Sequence, residues 1–243
     1  MDQFTQDTFF AGQIKIIQSR NGYRFSIDAP LLAAIVTPKA GDTIMDLGTG
    51  CGIIALLVST RFPNTHVTAI EVQPELTDLA RKNVDNNGLA DNINVIHADM
   101  RELPLRTVRG PFDWVVTNPP YHGAQTGRIN PNPQRALARH EIMIDLAQLL
   151  ASARKMLRTG GYFATIYTAD RAVELFVQMR ASGIEPKWIQ WVHGKADEAA
   201  KLLLVKGVKA GRPGVQIAAP LVVYDNNGQY TPAVQAMLQG SCK

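Results

Sequence analysis

A strand pattern, a glycine-rich turn and an apolar helix pattern follow one another directly between residues 43 and 58, and this order constrains the fold more than any other feature. Residues 43–47 are largely apolar, Gly48, Gly50 and Gly52 alternate in the turn, and residues 53–58 are apolar throughout. Glycines permit the positive φ angles of a tight turn and let a ligand lie against the backbone. The free N–H groups at the start of the helix point towards the turn. The stretch therefore predicts half of a nucleotide-binding βαβ unit.

The spacing of the glycines argues against a dinucleotide. The NAD fingerprint has its third glycine three positions after the second, where this chain has Ile53. Residues 46–52, Asp-Leu-Gly-Thr-Gly-Cys-Gly, instead resemble the first motif of S-adenosylmethionine-dependent methyltransferases. We therefore expect S-adenosylmethionine as the cofactor. The alternative is a turn that only permits close packing of the strand and the helix.

Acidic residues follow the next two strand patterns. Glu71 comes after residues 66–70 and can accept hydrogen bonds from the two ribose hydroxyls of an adenosine-bearing cofactor, while Asp99 comes after residues 92–97 and can accept from an adenine amine. Open α/β sheets bind their ligands at these carboxyl ends of the strands. The predicted cofactor-binding residues lie in the glycine motif or directly after a strand: Asp46, Leu47, Gly48, Gly50, Gly52, Glu71, Val72, Asp99, Met100 and Asn118.

Residues 118–121, Asn-Pro-Pro-Tyr, follow a fourth strand pattern without a break. The prolines fix the backbone and donate no N–H, so the Asn118 amide oxygen and the carbonyl between the prolines and the tyrosine remain as acceptors for an –NH2 group. Two fixed acceptors favour the pyramidal nitrogen that attacks a methyl sulfonium, and the tyrosine can stack on the ring that carries the amine. We predict that Asn118, Pro119, Pro120 and Tyr121 are catalytic. The alternative is a proline turn with a core tyrosine.

Four stretches together resemble the bacterial tRNA1(Val) adenine-37 N6-methyltransferase family: residues 23–32 (Tyr-Arg-Phe-Ser-Ile-Asp-Ala-Pro-Leu-Leu), 46–52, 118–121 and 139–141 (Arg-His-Glu). The resemblance covers most of residues 8–208. It implies an α/β class I methyltransferase fold, Rossmann-like, with a seven-stranded mixed sheet of order 3-2-1-4-5-7-6 and helices on both faces. It also implies S-adenosylmethionine as donor and N6 of adenine 37 in a tRNA anticodon loop as acceptor.

Positive charge is concentrated in two stretches. The chain has a formal net charge of +4; residues 101–140 hold six basic and two acidic groups, and residues 195–212 hold five and two. No dedicated RNA-binding domain is visible, so we expect these stretches to hold RNA phosphates; solvated loop charge is the alternative. Asp28 is expected to cap a helix through Val36 or to face the cofactor or target base. The predicted substrate-binding residues are Asp28, Arg128, Arg135, Arg139 and Lys206.

The remaining sequence indicates how the chain is organised. We interpret residues 1–40 as an N-terminal extension packed on the catalytic domain, 41–210 as the methyltransferase domain and 211–243 as a turn-rich tail. Residues 12–18 are expected to form a strand, and the Gly160-Gly161 pair to end a helix that starts at Ile142. Residues 122–139 are predicted to be a long functional loop.

Several classes of protein are excluded by composition. No apolar stretch approaches the length of a membrane span, and the first seven residues are too polar for a secretory signal. Cys51 and Cys242 are the only cysteines, which argues against a disulfide framework or a zinc site and favours the reducing cytoplasm. We expect no metal, no membrane and no obligate protein partner.

Two other functions stay open. A glutamine N5-methyltransferase acting on a protein such as a release factor would share the Asn-Pro-Pro-Tyr chemistry, but its family carries a helical N-terminal domain larger than residues 1–40 here. A non-catalytic RNA-binding module that retains S-adenosylmethionine would not need Asn118 and Tyr121.

Overall fold

The computed structural model describes residues 4–19, 26–120 and 145–240 of the chain. Strands and helices alternate along most of its length, which is the order that builds a largely parallel sheet with helices on its faces. The elements are β1 (Phe4–Phe9), β2 (Ile14–Ser19), α1 (Asp28–Ile35), β3 (Thr43–Leu47), α2 (Ile53–Arg61), β4 (His66–Glu71), α3 (Pro74–Asn86), β5 (Ile93–His97), β6 (Phe112–Thr117), α4 (Leu146–Met156), β7 (Leu157–Thr168), α5 (Ala172–Ala181), β8 (Ile184–His193), β9 (Ala200–Lys209), β10 (Gln216–Ile217), β11 (Leu221–Val222) and α6 (Pro232–Leu238).

The central sheet has the order β5-β4-β3-β6-β7-β9-β8. Strands β3 to β7 are parallel to one another, and β9 is antiparallel to both β7 and β8. Counted from β3, this is the predicted order 3-2-1-4-5-7-6, so the class I methyltransferase fold is confirmed. We call the edge where β3 to β7 end the carboxyl edge, and the edge where they begin the basal edge.

The sheet has nine strands rather than the expected seven. The two-residue strands β10 and β11 both pair in parallel with β8. They cover the outer side of the last long strand, where unpaired N–H and C=O groups would otherwise be exposed. Two residues give no recognisable period, so the sequence pattern did not reveal them.

An apolar core lies on each face of the sheet. On one face, α1, α2 and α3 pack over residues such as Ile44 and Val67; on the other, α4 and α5 pack over residues such as Met45 and Val115. Neighbouring residues of β3 therefore point into different cores, which explains why the central strands are apolar without alternation.

Two segments outside this sheet differ from expectation. The N-terminal strand β2 is paired with an unexpected strand, β1, in a separate antiparallel hairpin. The tail contains helix α6, in which Val234 is fully buried. The hairpin turn and the tail meet, because the Phe10 N–H donates to the carbonyl of Leu238 (3.4 Å). The sequence pattern did not reveal α6, because the few buried residues of the tail are too sparse to show a helical period.

Two local predictions were wrong. Asp28 is not a helix cap: it is the first residue of α1, and Ile27 precedes the helix without a side-chain cap bond. The Gly160-Gly161 pair lies inside β7, at a shift in register between the pairs Phe112–Leu157 and Trp114–Tyr162. Gly160 has a φ of +75°, so the glycines allow an irregular strand rather than a helix end.

The described residues contain no helix that is long and apolar enough to cross a bilayer.

Candidate functional site

The glycine turn between β3 and α2 has the backbone conformation that its sequence predicts. Gly48, Gly50 and Gly52 have φ angles of +73°, +59° and +89°. The N–H groups of Gly48 and Thr49 donate to the carbonyl of Ile70 in β4 at 2.9 and 3.0 Å. Gly52 precedes α2 in a left-handed conformation and provides no side-chain cap, so the loop offers bare backbone at the carboxyl edge.

Glu71, the last residue of β4, holds the glycine turn in place. Its Oε2 accepts from the Gly50 N–H at 2.9 Å, and its Oε1 accepts from the N–H groups of Val72 and Gln73 at 3.0 Å each. The residue is buried. Since each carboxylate oxygen can accept two hydrogen bonds, Oε2 keeps capacity for a ligand hydroxyl.

Asp46 at the end of β3 is a buried carboxyl with one unpartnered oxygen. Its Oδ2 accepts from the Thr49 hydroxyl at 2.6 Å, whereas Oδ1 has no partner among the described residues. Burial raises the pKa of Asp46 to about 7, the Thr49 hydrogen bond opposes this shift, and the nearby Glu71 charge adds to it. A buried acceptor without a donor is costly, so this oxygen is a candidate for a bond to a ligand.

Two partly exposed apolar side chains flank this group. Val72 is 39% exposed, and its carbonyl is held by His97 Nε2 at 2.9 Å. Met100 reaches across the loop, with its Cε 3.8 Å from the position that a Cβ on Gly48 would take. Both residues were predicted from their places after β4 and β5, and both offer apolar surface for a planar ring.

Asp99 is already engaged by a neighbouring side chain. The Arg101 guanidinium donates to both carboxylate oxygens, with its Nε 2.9 Å from Oδ1 and its NH2 2.5 Å from Oδ2. These hydrogen bonds hold the pKa of Asp99 below its usual value. An adenine amine would have to share these oxygens with the guanidinium or displace it.

Asn118 lies beside the glycine turn because of the strand register. Asp46 pairs with Val116 on neighbouring strands, which lie about 4.8 Å apart, and each strand ends one residue later, directly before Gly48 and Asn118. Asn118 is half-buried, Pro119 is buried and Pro120 is exposed.

Two threonine hydroxyls fix the strand ends around Asn118. Thr117 Oγ1 donates to the carbonyl of Leu47, and Thr165 Oγ1 donates to the carbonyl of Thr117, both at 2.9 Å. The ends of β3, β6 and β7 are thereby joined at the place where Asn118 begins its turn.

Of the predicted substrate-binding residues, Asp28 and Lys206 lie in the part of the chain that the structure describes. Asp28 is half-buried in the first turn of α1. Lys206 lies in the middle of β9, with its Nζ 4.7 Å from the centroid of the Trp188 ring, and burial lowers its pKa. Its substrate role stays a prediction that this placement does not support. Outside the described residues lie Tyr23, Tyr121, Arg128, Arg135, Arg139 and the proposed loop 122–139.

The two ends of the stretch 195–212 lie at opposite edges of the sheet because β9 runs from one edge to the other. Because β9 is antiparallel to β7, Lys201 lies near the carboxyl edge and pairs with Glu198 at 3.0 Å, whereas Lys209 and Arg212 lie at the basal edge. Whether the stretches 101–140 and 195–212 hold RNA phosphates stays a prediction.

Sequence reasoning missed two asparagines, Asn83 in α3 and Asn87 directly after its last residue. Asn83 accepts from the Ile17 N–H (2.8 Å) and donates to the carbonyls of Ile17 (3.0 Å) and Cys51 (2.9 Å). One turn later, Asn87 accepts from the Lys15 N–H and donates to the Lys15 carbonyl. The available signal was a pair of amides four residues apart on a helix with an apolar face.

The arrangement can hold an adenosine-bearing cofactor against bare backbone, with acceptors for its hydroxyls and apolar side chains for its ring. In the described residues, no group of three or more His, Cys, Asp or Glu side chains could hold a metal ion. The amide of Asn118 lies next to this site, where a substrate would meet the cofactor.

Comparisons with known proteins find methyltransferases. The sequence model of the methyltransferase small domain family matches residues 24–179. The chain is 33% identical to a tRNA1(Val) (adenine(37)-N6)-methyltransferase of Porphyromonas gingivalis over 70% of this chain and 68% of the relative. It is 30% identical to a protein of the same name from Actinobacillus pleuropneumoniae, over 93% of this chain and 92% of the relative.

A solved structure is similar over nearly the whole chain. It is the crystal structure of a predicted O-methyltransferase from Agrobacterium tumefaciens, with a TM-score of 0.72 and 25% identity, covering 88% of this chain and 97% of that one.

Proposed function

This chain belongs to the methyltransferase small domain family and, within it, to the bacterial tRNA1(Val) (adenine(37)-N6)-methyltransferases, and from that membership we propose that it methylates N6 of adenine 37 in a tRNA anticodon loop. The methyl donor is S-adenosylmethionine. The observation that supports the proposal is the pairing of Asp46 with Val116, because the glycine turn and the Asn-Pro-Pro segment follow directly after these two neighbouring strands.

The residues at the carboxyl edge fit S-adenosylmethionine. Three glycines at positive φ leave room along the loop, and the remaining acceptor capacity of Glu71 suits ribose hydroxyls. The exposed Val72 and the side chain of Met100 suit the adenine ring. The unpartnered Oδ1 of Asp46 suits the donor's amino group, directly or through water. When bound, the cofactor supplies an electrophilic methyl group and leaves as a neutral thioether.

Asn118 prepares the acceptor amine. Its amide oxygen and a carbonyl of the proline pair each accept one N6 hydrogen, so the nitrogen lone pair is drawn out of conjugation and aimed at the methyl group. The new N–C bond forms at N6, which then carries a positive charge and loses a proton to water. No side-chain base is needed for this step.

The substrate is a tRNA, and the target adenine must leave its stack in the anticodon loop. Unstacking costs a few kcal/mol, which base–aromatic stacking on Tyr121 would offset at about 1–3 kcal/mol per base. A tRNA substrate also implies that the protein works in the cytoplasm. Neither alternative function is favoured, because the similar proteins carry the name of a tRNA adenine methyltransferase.

A labelling experiment tests the proposal. The protein is incubated with S-adenosylmethionine labelled in the methyl group and, separately, with tRNA, ribosomal RNA and protein fractions from cells that lack the gene. Label is expected in tRNA, as N6-methyladenosine after digestion to nucleosides. Label in the protein fraction alone would support the glutamine methyltransferase, and label in no fraction would support the binding module.

A further inference from the structure

Two buried hydroxyl groups form a row across the ends of three neighbouring strands. Thr117 is the last residue of β6, and Thr165 is its register partner in β7. The Thr117 hydroxyl donates to the carbonyl of Leu47, the last residue of β3, and the Thr165 hydroxyl donates to the carbonyl of Thr117. Each hydroxyl therefore bonds to the strand beside its own, and the row runs from β7 through β6 to β3.

The Thr117 hydroxyl fixes the peptide group that leads into the glycine turn. Its acceptor, the carbonyl of Leu47, belongs to the peptide group that Leu47 shares with Gly48. The N–H of this peptide group donates to the carbonyl of Ile70 at 2.9 Å. The peptide group is therefore held from β6 at its oxygen and from β4 at its nitrogen, so its plane is fixed from both sides.

The Thr165 hydroxyl fixes the entry to the Asn-Pro-Pro segment. Its acceptor belongs to the peptide group that Thr117 shares with Asn118. The same hydroxyl lies 3.2 Å from the carbonyl of Ile166, but its bond to Thr117 is shorter, at 2.9 Å. A residue before proline has a restricted backbone, so Asn118 cannot absorb a rotation of the preceding peptide group. Such a rotation would turn the whole asparagine.

Packing alone does not require these hydroxyls. Val115, two residues before Thr117, and Val205, the register partner of Thr165 in β9, are both fully buried. Valine has the branched shape of threonine and suits a strand as well, whereas a buried hydroxyl is costly unless it is hydrogen-bonded. Apolar residues thus fill the adjacent positions, and the hydroxyls occur where β6 and β7 adjoin the two turns.

We propose that Thr117 and Thr165 are positioning residues for methyl transfer, whose hydroxyls set the separation and orientation of the methyl donor and Asn118. The proposal rests on the proposed function. Reacting atoms must meet at about 3–3.5 Å, and a displacement of about 1 Å can lower the rate about 10²-fold. Both side chains are only 1% exposed, so they act through the two backbone carbonyls rather than on the reactants themselves.

The test compares three threonine-to-valine variants, each of which replaces a hydroxyl by a methyl group. Thr117→Val and Thr165→Val remove the two hydroxyls of the row. The matched control is Thr65→Val, because Thr65 is equally buried and its hydroxyl donates to the carbonyl of Phe62 at 2.7 Å, before β4 and at the basal edge. Calorimetry with S-adenosylmethionine gives the dissociation constant and counts the binding sites, and methylation of a tRNA transcript is expressed as kcat per binding site.

The two hydroxyls of the row are expected to differ in one respect. Thr165→Val should lower kcat at least tenfold and leave the dissociation constant for S-adenosylmethionine and KM for tRNA within about twofold. Thr117→Val should lower kcat similarly and also raise that dissociation constant about three- to tenfold, because the glycine turn loses one hydrogen bond. Thr65→Val should leave kcat and cofactor affinity within about twofold, although it should unfold at a lower denaturant concentration, as the other two variants should.

Serine variants separate the hydroxyl from the methyl group of threonine. Thr117→Ser and Thr165→Ser keep the donor and should keep kcat within about threefold of the wild type. If the valine variants do not fold, alanine and serine variants at each position make the same comparison, since they differ in the hydroxyl.

Three results would overturn the proposal: wild-type kcat per binding site without the hydroxyls, an equal loss in Thr65→Val, or equal losses with and without the hydroxyl at the same position. If the wild-type protein methylates no RNA at all, the proposed function fails by itself. The cofactor affinities then still decide, because an unchanged affinity in Thr117→Val, or an equal loss in Thr165→Val, contradicts the separate roles of the two hydroxyls.

Discussion

Asn83 donates a hydrogen bond from its Nδ2 to the carbonyl of Cys51, across 2.9 Å, and so connects α3 with the glycine turn. The same amide pairs with both backbone groups of Ile17, and Asn87 pairs in the same way with Lys15. Four residues of helix rise about 6 Å, and two residues of strand about 6.6 Å. Two asparagines one turn apart can therefore substitute for the missing neighbour strand of β2.

The first prediction is that Asn83 and Asn87 differ in their effect on the affinity for the cofactor. Asn83→Ala and Asn87→Ala each remove a pair of bonds to β2, but only Asn83→Ala releases the glycine turn. A hydrogen bond contributes about 0.5–1.5 kcal/mol, so we expect Asn83→Ala to raise the dissociation constant for S-adenosylmethionine about tenfold and Asn87→Ala to change it less than twofold, as measured by calorimetry.

Asn83 is fully buried, so Asn83→Asp is the second variant if the alanine protein does not fold. It keeps the acceptor for the Ile17 N–H and loses the donor to Cys51. Equal effects of the Asn83 and Asn87 variants on cofactor affinity would show that the hairpin, not the glycine turn, is responsible.

The second prediction concerns Asn118. Asn118→Ala should lower kcat for tRNA methylation by about 10²–10³, the reduction seen when one fixed transition-state hydrogen-bonding group is removed, because only one of two acceptors for the amine remains. The dissociation constant for S-adenosylmethionine should stay within about threefold. The control is Asn94→Ala, at an exposed amide of β5. A parallel loss of cofactor affinity and kcat would assign Asn118 to the donor instead.

The third prediction is a pH dependence of stability that arises from Asp46. Its pKa is raised from 3.8 to about 7, so between about pH 4 and 7 the folded protein keeps a proton that the unfolded chain has lost. Stability from this group is therefore greatest at low pH and falls as the pH rises through that window.

Asp46→Asn removes this titration and keeps an acceptor for Thr49. We expect the variant to gain stability relative to the wild type as the pH rises from 4 to 7, by about 4 kcal/mol in total at pH 8, since one pKa unit corresponds to about 1.4 kcal/mol and the pKa is raised from 3.8 to about 7. Denaturant unfolding at each pH measures the difference. The variant should also bind S-adenosylmethionine at least tenfold more weakly, and a constant stability difference across the pH range would contradict the assignment.

The fourth prediction concerns the tail. Val234 in α6 is fully buried, so Val234→Ala should lower the free energy of unfolding by about 1–3 kcal/mol through reduced apolar burial and a residual cavity. Ala233→Ser, at the exposed neighbouring position, should change it by less than about 0.5 kcal/mol. If both variants unfold at the same denaturant concentration as the wild type, the tail does not contribute to the folded core.

Patterns that are local in the sequence were sufficient to locate the main strands of the sheet, whereas the order of the strands was implied by the resemblance to a known family. Each strand from β3 to β6 is a segment of five or six residues of which at least half are apolar, and the glycines of the turn allow positive φ. The resemblance to a known family supplied the positions of β8 and β9 in the sheet. The division of the chain at residues 40 and 210 and the roles of Tyr121 and the loop arginines stay predictions.

Only the tertiary structure decided which distant groups meet. The Asn83 amide bonds to residues 32 and 66 positions away, and no period or motif encodes such a pairing. The direction of β9 separated a basic stretch that is continuous in sequence, and it brought Lys209 Nζ within 2.6 Å of the carbonyl of Leu157, 52 positions earlier in the chain. The sequence by itself determined the local turn and strand chemistry because backbone angles and burial depend on nearby residues. The network that fixes the glycine turn and the charge at the basal edge depend on how the strands are ordered and directed, and only the folded chain provides that.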